Sequence, residues 1–258
     1  MGTNVRRDGT SNYHLWSRRR YLVATVGVAA LSGCTGGDGE GGTPADEDES
    51  GEKELPEGVS EEEFDSGPVP DVYVSATSIG GEERNSDELV TKEDAQFAEY
   101  DEAVENSAHQ PGRSCGNCHE YIIDKNGDAF GACTAVEGYI GREDWCALWE
   151  ELPEPSVPEG MSEEDLATAE VPEAYRTAES QAGEARTPDD LLPQADVAFG
   201  ESVDQTADGP AGPGQSCATC AEYISDKNGD GWGACAKVEG YVAVEDWCSE
   251  WESIAEAM

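Results

Sequence analysis

The sequence has few of the residues that build a large hydrophobic core. Hydrophobic residues make up 37% and aromatic residues 7% of its 258 positions, and it contains 30 glycines and 13 prolines. Such a chain cannot bury one large core, because too little apolar area can be removed from water. We therefore expect small domains that covalent or metal links hold together.

Residue patterns typical of catalysis are also missing. The chain has three histidines, and its sequence contains no nucleophile elbow, phosphate-binding loop or paired histidines. Its many carboxylates are better explained as solvated surface than as acid/base pairs. We therefore predict that the protein is not an enzyme.

Basic residues are scarce as well. The 57 Asp and Glu residues outnumber the 15 Lys and Arg residues, which gives a formal charge of −42. Five of the basic residues and only one acid precede Cys34, so the rest of the chain carries 10 basic and 56 acidic residues, or −46. This charge disfavours nucleic acid and anionic lipid as partners. Acids spread over a whole chain are typical of salt-in halophiles, where the Debye length falls to ~3 Å, and we expect a haloarchaeal source.

The apolar run near the N-terminus is shorter than the ~20 residues that span a bilayer comfortably. This run, from Tyr21 to Leu31, follows SRRRYL at 17–22, which resembles a twin-arginine export motif, and ends in LSGC at 31–34, which resembles a lipobox. We predict a signal peptide at residues 1–33, a lipid on Cys34 and a disordered acidic tether at residues 34–56. The protein would then be extracytoplasmic and anchored to the outer face of the cell membrane. The alternative is a short membrane anchor with an incidental cysteine.

The chain nevertheless contains nine cysteines, and eight of them form two sets with the same spacing. Both sets follow the pattern C-x2-C-x14-C-x12-C, and each cysteine lies 102 residues before its counterpart. The first set is Cys115, Cys118, Cys133 and Cys146, and the second is Cys217, Cys220, Cys235 and Cys248. Four thiolates that recur as a whole indicate one metal centre in each repeat.

The repetition extends well beyond the cysteines. Between residues 111–150 and 213–252, 26 of 40 positions are identical, and EGVSEEEF at 57–64 matches EGMSEEDL at 159–166. Two copies are too few for a solenoid. We therefore predict two tandem domains, at residues 57–156 and 157–258.

Local signals predict only short elements of secondary structure. Ser60-x-x-Glu63 and Ser162-x-x-Asp165 could each cap a short helix. The Asn-Gly pairs at 126–127 and 228–229 predict hairpin turns. Residues 121–122 and 136–140 are strand candidates, and residues 145–149 are a candidate for a terminal helical turn.

Three kinds of link could use these cysteines. Disulfides are one, although two cysteines three residues apart are awkward partners for two well-formed bridges. Zinc is another, although a four-cysteine zinc site usually has two close pairs, and here only the first pair is close. An iron–sulfur cluster, which also takes four thiolates, is the third. The ferredoxin and Rieske spacings do not match, and a non-redox structural protein with zinc- or disulfide-stapled repeats remains the alternative.

Two stretches resemble high-potential iron–sulfur proteins, namely CGNCHEYIIDKNGDAFGACTAVEGYIGREDWCALW and CATCAEYISDKNGDGWGACAKVEGYVAVEDWCSEW. The resemblance rests on an isolated CxxC, a GxC, a Val-x-Gly segment and a final Trp-Cys-x-x-Trp. It implies two small, irregular α+β domains, each organised around one [4Fe–4S] cluster that the four cysteines ligate and that carries single electrons. Asp144 and Asp246 stand where many relatives have glycine, and Phe97 and Phe199 replace a tyrosine that is common upstream.

Aromatic residues are concentrated near both cysteine sets. Ordinary packing explains part of this, but the same residues would keep water away from a cluster. A [4Fe–4S]2+ core with four thiolates carries −2, which becomes −3 on reduction and −1 on oxidation. Burial penalises the larger charge, so a dry shell favours the 3+/2+ couple. The predicted shielding residues are Tyr121, Phe130, Tyr139, Trp145 and Trp149, with Tyr223, Trp232, Tyr241, Trp247 and Trp251 in the second repeat.

These expectations combine into one prediction of function. The protein would be a lipid-anchored carrier of single electrons with two [4Fe–4S] clusters. Its partners would be redox proteins, such as a respiratory complex, an oxidase or a reductase.

Overall fold

The computed structural model describes residues 55–257. The predicted signal peptide at 1–33, Cys34 and all but the last two residues of the predicted tether lie outside the described residues. Within residues 55–257, no helix has the length and apolar character needed to cross a membrane.

Helices in the described part of the chain are short, as the scarcity of long apolar periods predicts. The α-helices are α1 (Glu61–Ser66), α2 (Asp71–Val74), α3 (Tyr100–Ala103), α4 (Glu163–Leu166), α5 (Glu173–Arg176), α6 (Ser202–Asp208) and α7 (Ile254–Ala257). The 3-10 helices are Cys115–Asn117, Pro188–Asp190, Gln194–Asp196 and Cys217–Thr219. Both predicted capping boxes are confirmed: the backbone N–H of Ser60 donates to Glu63 at the start of α1, and that of Ser162 to Asp165 at the start of α4.

The strands are equally short and pair antiparallel. They are β1 (Tyr121–Ile122), β2 (Phe130–Cys133), β3 (Ile140–Gly141), β4 (Gly200–Glu201), β5 (Tyr223–Ile224), β6 (Ala234–Cys235) and β7 (Asp246–Trp247). In the first repeat β2 lies between β1 and β3. In the second repeat β5 pairs with β6, and β4 pairs with β7. This small, mixed architecture with little regular structure confirms the predicted fold class.

The Asn-Gly turn joins β1 to β2, as predicted. The carboxylate of Asp124 accepts backbone N–H groups from Asn126, Gly127 and Ala129, which fixes the loop. The buried hydroxyl of Tyr73 adds to this, because it accepts from the N–H of Lys125 and donates to the carbonyl of Phe130. Tyr175 makes the equivalent bonds to Lys227 and Trp232 in the second repeat.

Two predicted elements differ from the structure. Residues 136–139 are not part of a strand, since Val136 makes only an isolated bridge to Val90 and β3 begins at Ile140. Gly138 explains the break, because its φ of +75° is outside the extended region of a strand. Residues 145–149 contain a single hydrogen-bonded turn, in which the N–H of Trp149 donates to the C=O of Cys146, instead of the candidate helical turn.

Each repeat buries two separate hydrophobic clusters. One contains the four cysteines. The other contains Phe130, at the start of β2, in the first repeat and Trp232, just before β6, in the second. The clusters correspond residue by residue across the 102-residue period, so the sequence duplication is also a structural duplication. Contacts between the repeats join the described residues into one compact unit.

Candidate metal centre

Each repeat brings its four cysteines together from three segments. Cys115 begins a 3-10 helix, and Cys118 follows it with its N–H bonded to the carbonyl of Cys115. Cys133 ends β2, and Cys146 begins the turn that Trp149 closes. In the second repeat, the counterparts Cys217, Cys220, Cys235 and Cys248 occupy the equivalent 3-10 helix, strand end and turn.

The thiols are buried and unlinked. All eight are between 4% and 7% exposed, and none forms a disulfide. The four of the first repeat line a small pocket together with Tyr121, Ile140 and Leu148. Within residues 55–257, no group of three or more Cys, His, Asp or Glu side chains is placed to hold a metal ion.

Burial controls the protonation of these thiols. It raises the pKa of Cys118 and Cys146 to about 12 and that of Cys115 well above its usual value. In the second repeat it raises the pKa of Cys235 to about 11 and that of Cys248 to about 12. At neutral pH the thiolate form therefore requires a positively charged partner in the pocket, such as iron.

Backbone N–H groups oppose this rise and make the pocket suitable for anionic sulfur. The N–H of Ala135 donates to Cys133 Sγ over 3.4 Å, and the N–H of Lys237 donates to Cys235 Sγ over the same distance. Amides acting on the sulfurs recur at the same positions of both repeats and lower the cysteine pKa values. They belong to Glu120, Ala135, Val136, Leu148 and Glu150, and to Glu222, Lys237, Val238, Glu250 and Glu252.

A buried arginine lies beside the third cysteine of each set. Arg84 Nη1 donates to the carbonyls of Cys133 and Val136, and Arg186 Nη1 donates to those of Cys235 and Val238. Both arginine residues are 5% exposed, and their Nε atoms are buried without a hydrogen-bond partner. Among the described residues no carboxylate lies within ion-pair distance of either arginine, although an unpaired buried charge costs several kcal/mol; the Glu239 carboxylate acts on Arg186 only from a longer distance. An anionic cluster in the adjacent pocket would supply the missing negative charge, so the residues present fit a [4Fe–4S] group.

Sequence reasoning missed these arginines as parts of the site. Arg84 and Arg186 are identical in the two repeats, which was the available signal, but each lies 49 positions before the cysteine whose carbonyl it binds. Asn117 was missed too. Its side-chain oxygen accepts from the N–H of Ser114 and from Trp149 Nε1, and so ties the last turn of the repeat to the CxxC segment.

The predicted aromatic shield divides into two groups. Tyr121 and Trp149 pack with the cysteines of the first repeat, as Tyr223 and Trp251 do in the second. Phe97 and Phe199 join these clusters. Trp145 and Trp247 are buried next to the last cysteine of each set.

The other four predicted shielding residues pack in the second hydrophobic cluster of each repeat. Phe130 and Tyr139 pack with Phe64 in the separate cluster of the first repeat, and Trp232 and Tyr241 belong to the equivalent cluster of the second. Strand geometry explains the difference, because successive side chains point to opposite faces. Phe130 and Ala132 share one face of β2, while Cys133 lies on the other.

The chain resembles known proteins in two comparisons. A family model named High potential iron-sulfur protein matches the chain twice, at residues 91–153 and 193–255. Among solved structures, the chain is similar to the HiPIP of Rhodothermus marinus, with 22% identity, coverage of 27% of this chain and 85% of that chain, and a TM-score of 0.20. No curated protein matches the chain. Each family match contains one complete set of four cysteines.

Proposed function

We propose that this chain contains two high-potential iron–sulfur protein domains, where the family model matches residues 91–153 and 193–255, and that it carries single electrons on two [4Fe–4S] clusters, one in each domain. Proteins of this family are iron–sulfur electron carriers and not enzymes. The proposed ligands are Cys115, Cys118, Cys133 and Cys146 in the first domain, and Cys217, Cys220, Cys235 and Cys248 in the second.

One observation supports this proposal most strongly. In both repeats four buried, unlinked thiols share a hydrophobic cluster, and a buried guanidinium without an ion-pair partner lies against it. A cluster with four thiolates is anionic in its 3+, 2+ and 1+ states alike, and it would neutralise that guanidinium. A disulfide would add no negative charge beside the arginine.

The dry surroundings favour the 3+/2+ couple. Burial penalises the −3 charge of a further reduced cluster more than the −1 charge of an oxidised one. The backbone N–H groups and the arginine act in the opposite direction, because they stabilise negative charge. Since the cysteines are almost inaccessible to water, we propose that burial dominates and that each cluster cycles between 3+ and 2+.

The setting of this chemistry is also a proposal. The arginine motif at 17–22 and LSGC at 31–34 support export and a lipid on Cys34. The tether that follows would hold the two domains at the outer face of the cell membrane, and the acidic surface is suited to high salt. Electron donors and acceptors would be redox proteins of that membrane, such as a respiratory complex, an oxidase or a reductase.

Metal analysis of the purified chain tests the proposal. We expect brown protein with about eight iron and eight sulfide per chain, since a [4Fe–4S] cluster takes four thiolates. After oxidation, EPR should detect about two paramagnetic centres per chain, whereas the reduced form should be silent. A matched variant with Cys118→Ala and Cys220→Ala should contain neither cluster. Colourless protein containing zinc, or protein whose eight cysteines are all bridged, would refute the proposal.

A further inference from the structure

The two repeats meet at their CxxC segments. The N–H of Gly214 donates to Ser114 Oγ over 2.8 Å, and Ser216 Oγ donates to the carbonyl of Gly116 over 2.7 Å. Ser114 and Ser216 are completely buried and occupy equivalent positions, 102 residues apart. The contact is therefore formed by the same segment of both repeats, immediately beside the first cysteine of each set.

The contact leaves no space for a side chain at Gly116. A Cβ there would lie 2.2 Å from the carbonyl oxygen of Gly214, although real Cβ contacts essentially never fall below 3.0 Å. The equivalent position of the second repeat is Ala218. Alanine is therefore compatible with the local CxxC fold, and it is the other repeat that excludes it at position 116.

A second contact holds the repeats in this arrangement. Arg142 Nη1 in the first repeat donates to Ser253 Oγ in the second over 3.1 Å, and its guanidinium lies 5.2 Å from the ring centre of Trp251. The second repeat has Val244 at the position equivalent to Arg142. The contact is thus made once, and it joins Arg142 to an aromatic residue that packs with the second cysteine set.

The CxxC contact creates a short connection between the two metal centres. Gly116 directly follows Cys115, and Ser216 directly precedes Cys217. The path from Cys115 to Cys217 therefore consists of covalent bonds and a single hydrogen bond of 2.7 Å, from Ser216 Oγ to the carbonyl of Gly116. Standard bond lengths then limit the distance between the Cα atoms of Cys115 and Cys217 to roughly 16 Å. Both residues are buried, so protein instead of bulk water fills the space between them.

We propose that this contact is an internal electron relay between the two cysteine sets. The inference rests on the proposed function, since it requires a cluster in each repeat. One electron leaves a 2+ cluster in one repeat, which becomes 3+, and reduces a 3+ cluster in the other repeat to 2+. No proton, external oxidant or external reductant takes part. An electron accepted at one repeat could then leave from the other, so donor and acceptor need not compete for one surface.

The test compares the intact two-cluster chain with a Gly116→Ala variant. The first measurement is EPR of the fully oxidised protein, compared with the summed spectra of Cys118→Ala and Cys220→Ala chains, which contain one cluster each. The second is NMR of the cysteine β-protons in half-oxidised samples at several dilutions. Exchange within one molecule does not depend on protein concentration, whereas exchange between molecules does.

We expect the intact chain to show spin–spin broadening beyond the summed spectra and concentration-independent exchange. Gly116→Ala should lose both effects while retaining its iron, because the added methyl group forces the segments apart. Ala218→Gly is the matched control and should keep both, since it removes a methyl group without adding a clash. Should Gly116→Ala lose iron, Ser216→Ala removes the hydrogen bond without added bulk and should slow the internal exchange.

Two outcomes overturn the relay and are distinguishable from failure of the proposed function. An iron-replete chain whose spectrum equals the sum of the single-cluster spectra, with exchange only between molecules, refutes the relay alone. So does an iron-replete Gly116→Ala variant with unchanged spectrum and exchange. A chain that binds no iron refutes the proposed function itself.

Discussion

Replacement of Arg84 by methionine tests how the protein accommodates an anionic cluster. Methionine keeps an unbranched apolar side chain but removes the positive charge and the donors. Arg84 Nη1 binds the carbonyls of Cys133 and Val136 in an almost fully buried position. The substitution therefore changes both the charge beside the first proposed cluster and the support of its third proposed ligand, Cys133.

The size of the effect on potential follows from the position of the charge. A guanidinium bound to the Cys133 carbonyl is about 7 Å from a cluster on the Cys133 sulfur by standard bond lengths. At an effective dielectric constant of about 20, this charge contributes about 2.4 kcal/mol, or about 100 mV for one electron. Reduction from 3+ to 2+ changes the site from −1 to −2, so a nearby positive charge favours the reduced state. Arg84→Met should lower the reduction potential of the first cluster by about 50–100 mV, the lower value allowing for residual solvent screening.

The effect on stability has a different origin. Arg84→Met leaves two buried carbonyl oxygens without their donor, and hydrogen bonds to charged groups contribute about 1.5–3 kcal/mol each. We expect a loss of about 2–4 kcal/mol in the unfolding free energy of the loaded protein. Arg84→Lys separates the two effects, because it retains the charge but not the planar donor geometry. It should lose stability and leave the potential nearly unchanged.

Voltammetry in a Cys220→Ala background, which isolates the first cluster, is the assay. Arg186→Met in a Cys118→Ala background is the matched experiment on the second cluster and should give a shift of the same sign. An unchanged potential in Arg84→Met, or an upward shift, would contradict the electrostatic role of these arginines.

Three further predictions concern single residues. Cys118→Ala should reduce the iron content from about eight to about four per chain, and loss of all iron in metal analysis would mean that the two sites do not assemble separately. Trp145→Ala should lower the unfolding free energy by about 3–5 kcal/mol, because it empties a large buried volume. It should also shorten the lifetime of the oxidised first cluster in air relative to the second, as measured by visible absorbance. Equal decay of both clusters would contradict a shielding role for Trp145. Tyr73→Phe should lower the unfolding free energy by about 1–3 kcal/mol, since the N–H of Lys125 and the carbonyl of Phe130 lose a buried partner. Denaturant unfolding measures this loss, and Tyr175→Phe is the matched variant in the second repeat. An unchanged unfolding midpoint would refute the claim.

The parts of the structure that depend on neighbouring residues were predictable from the sequence. The capping boxes at Ser60 and Ser162 involve residues three positions apart, and most hydrogen bonds that fix the Asn-Gly turn go to Asp124 within its own loop. The duplicated cysteine spacing predicted two equivalent sites because a repeat of this identity folds in the same way twice. The correct sequence-based predictions therefore rest on short-range hydrogen bonds and on the internal repeat.

The parts that depend on distant contacts were not predictable in the same way. Arg84 reaches a carbonyl 49 positions away, and nothing in its local sequence indicates burial. Phe130 is only three residues from Cys133 in sequence. The two side chains lie on opposite faces of β2, so Phe130 packs in a different cluster. The exclusion of a side chain at Gly116 arises from the opposite repeat, so it requires knowledge of how the repeats pack.

Quantitative EPR of the oxidised protein, combined with iron and sulfide analysis of the same sample, tests the central claim most directly. We expect about eight iron, eight sulfide and two paramagnetic centres per chain after oxidation, and a silent spectrum after reduction to the 2+ state. Protein that contains iron but becomes paramagnetic only on reduction from the 2+ state would contradict the 3+/2+ assignment. Protein with no iron and sulfide at either cysteine set would contradict the claim of two cluster-binding repeats.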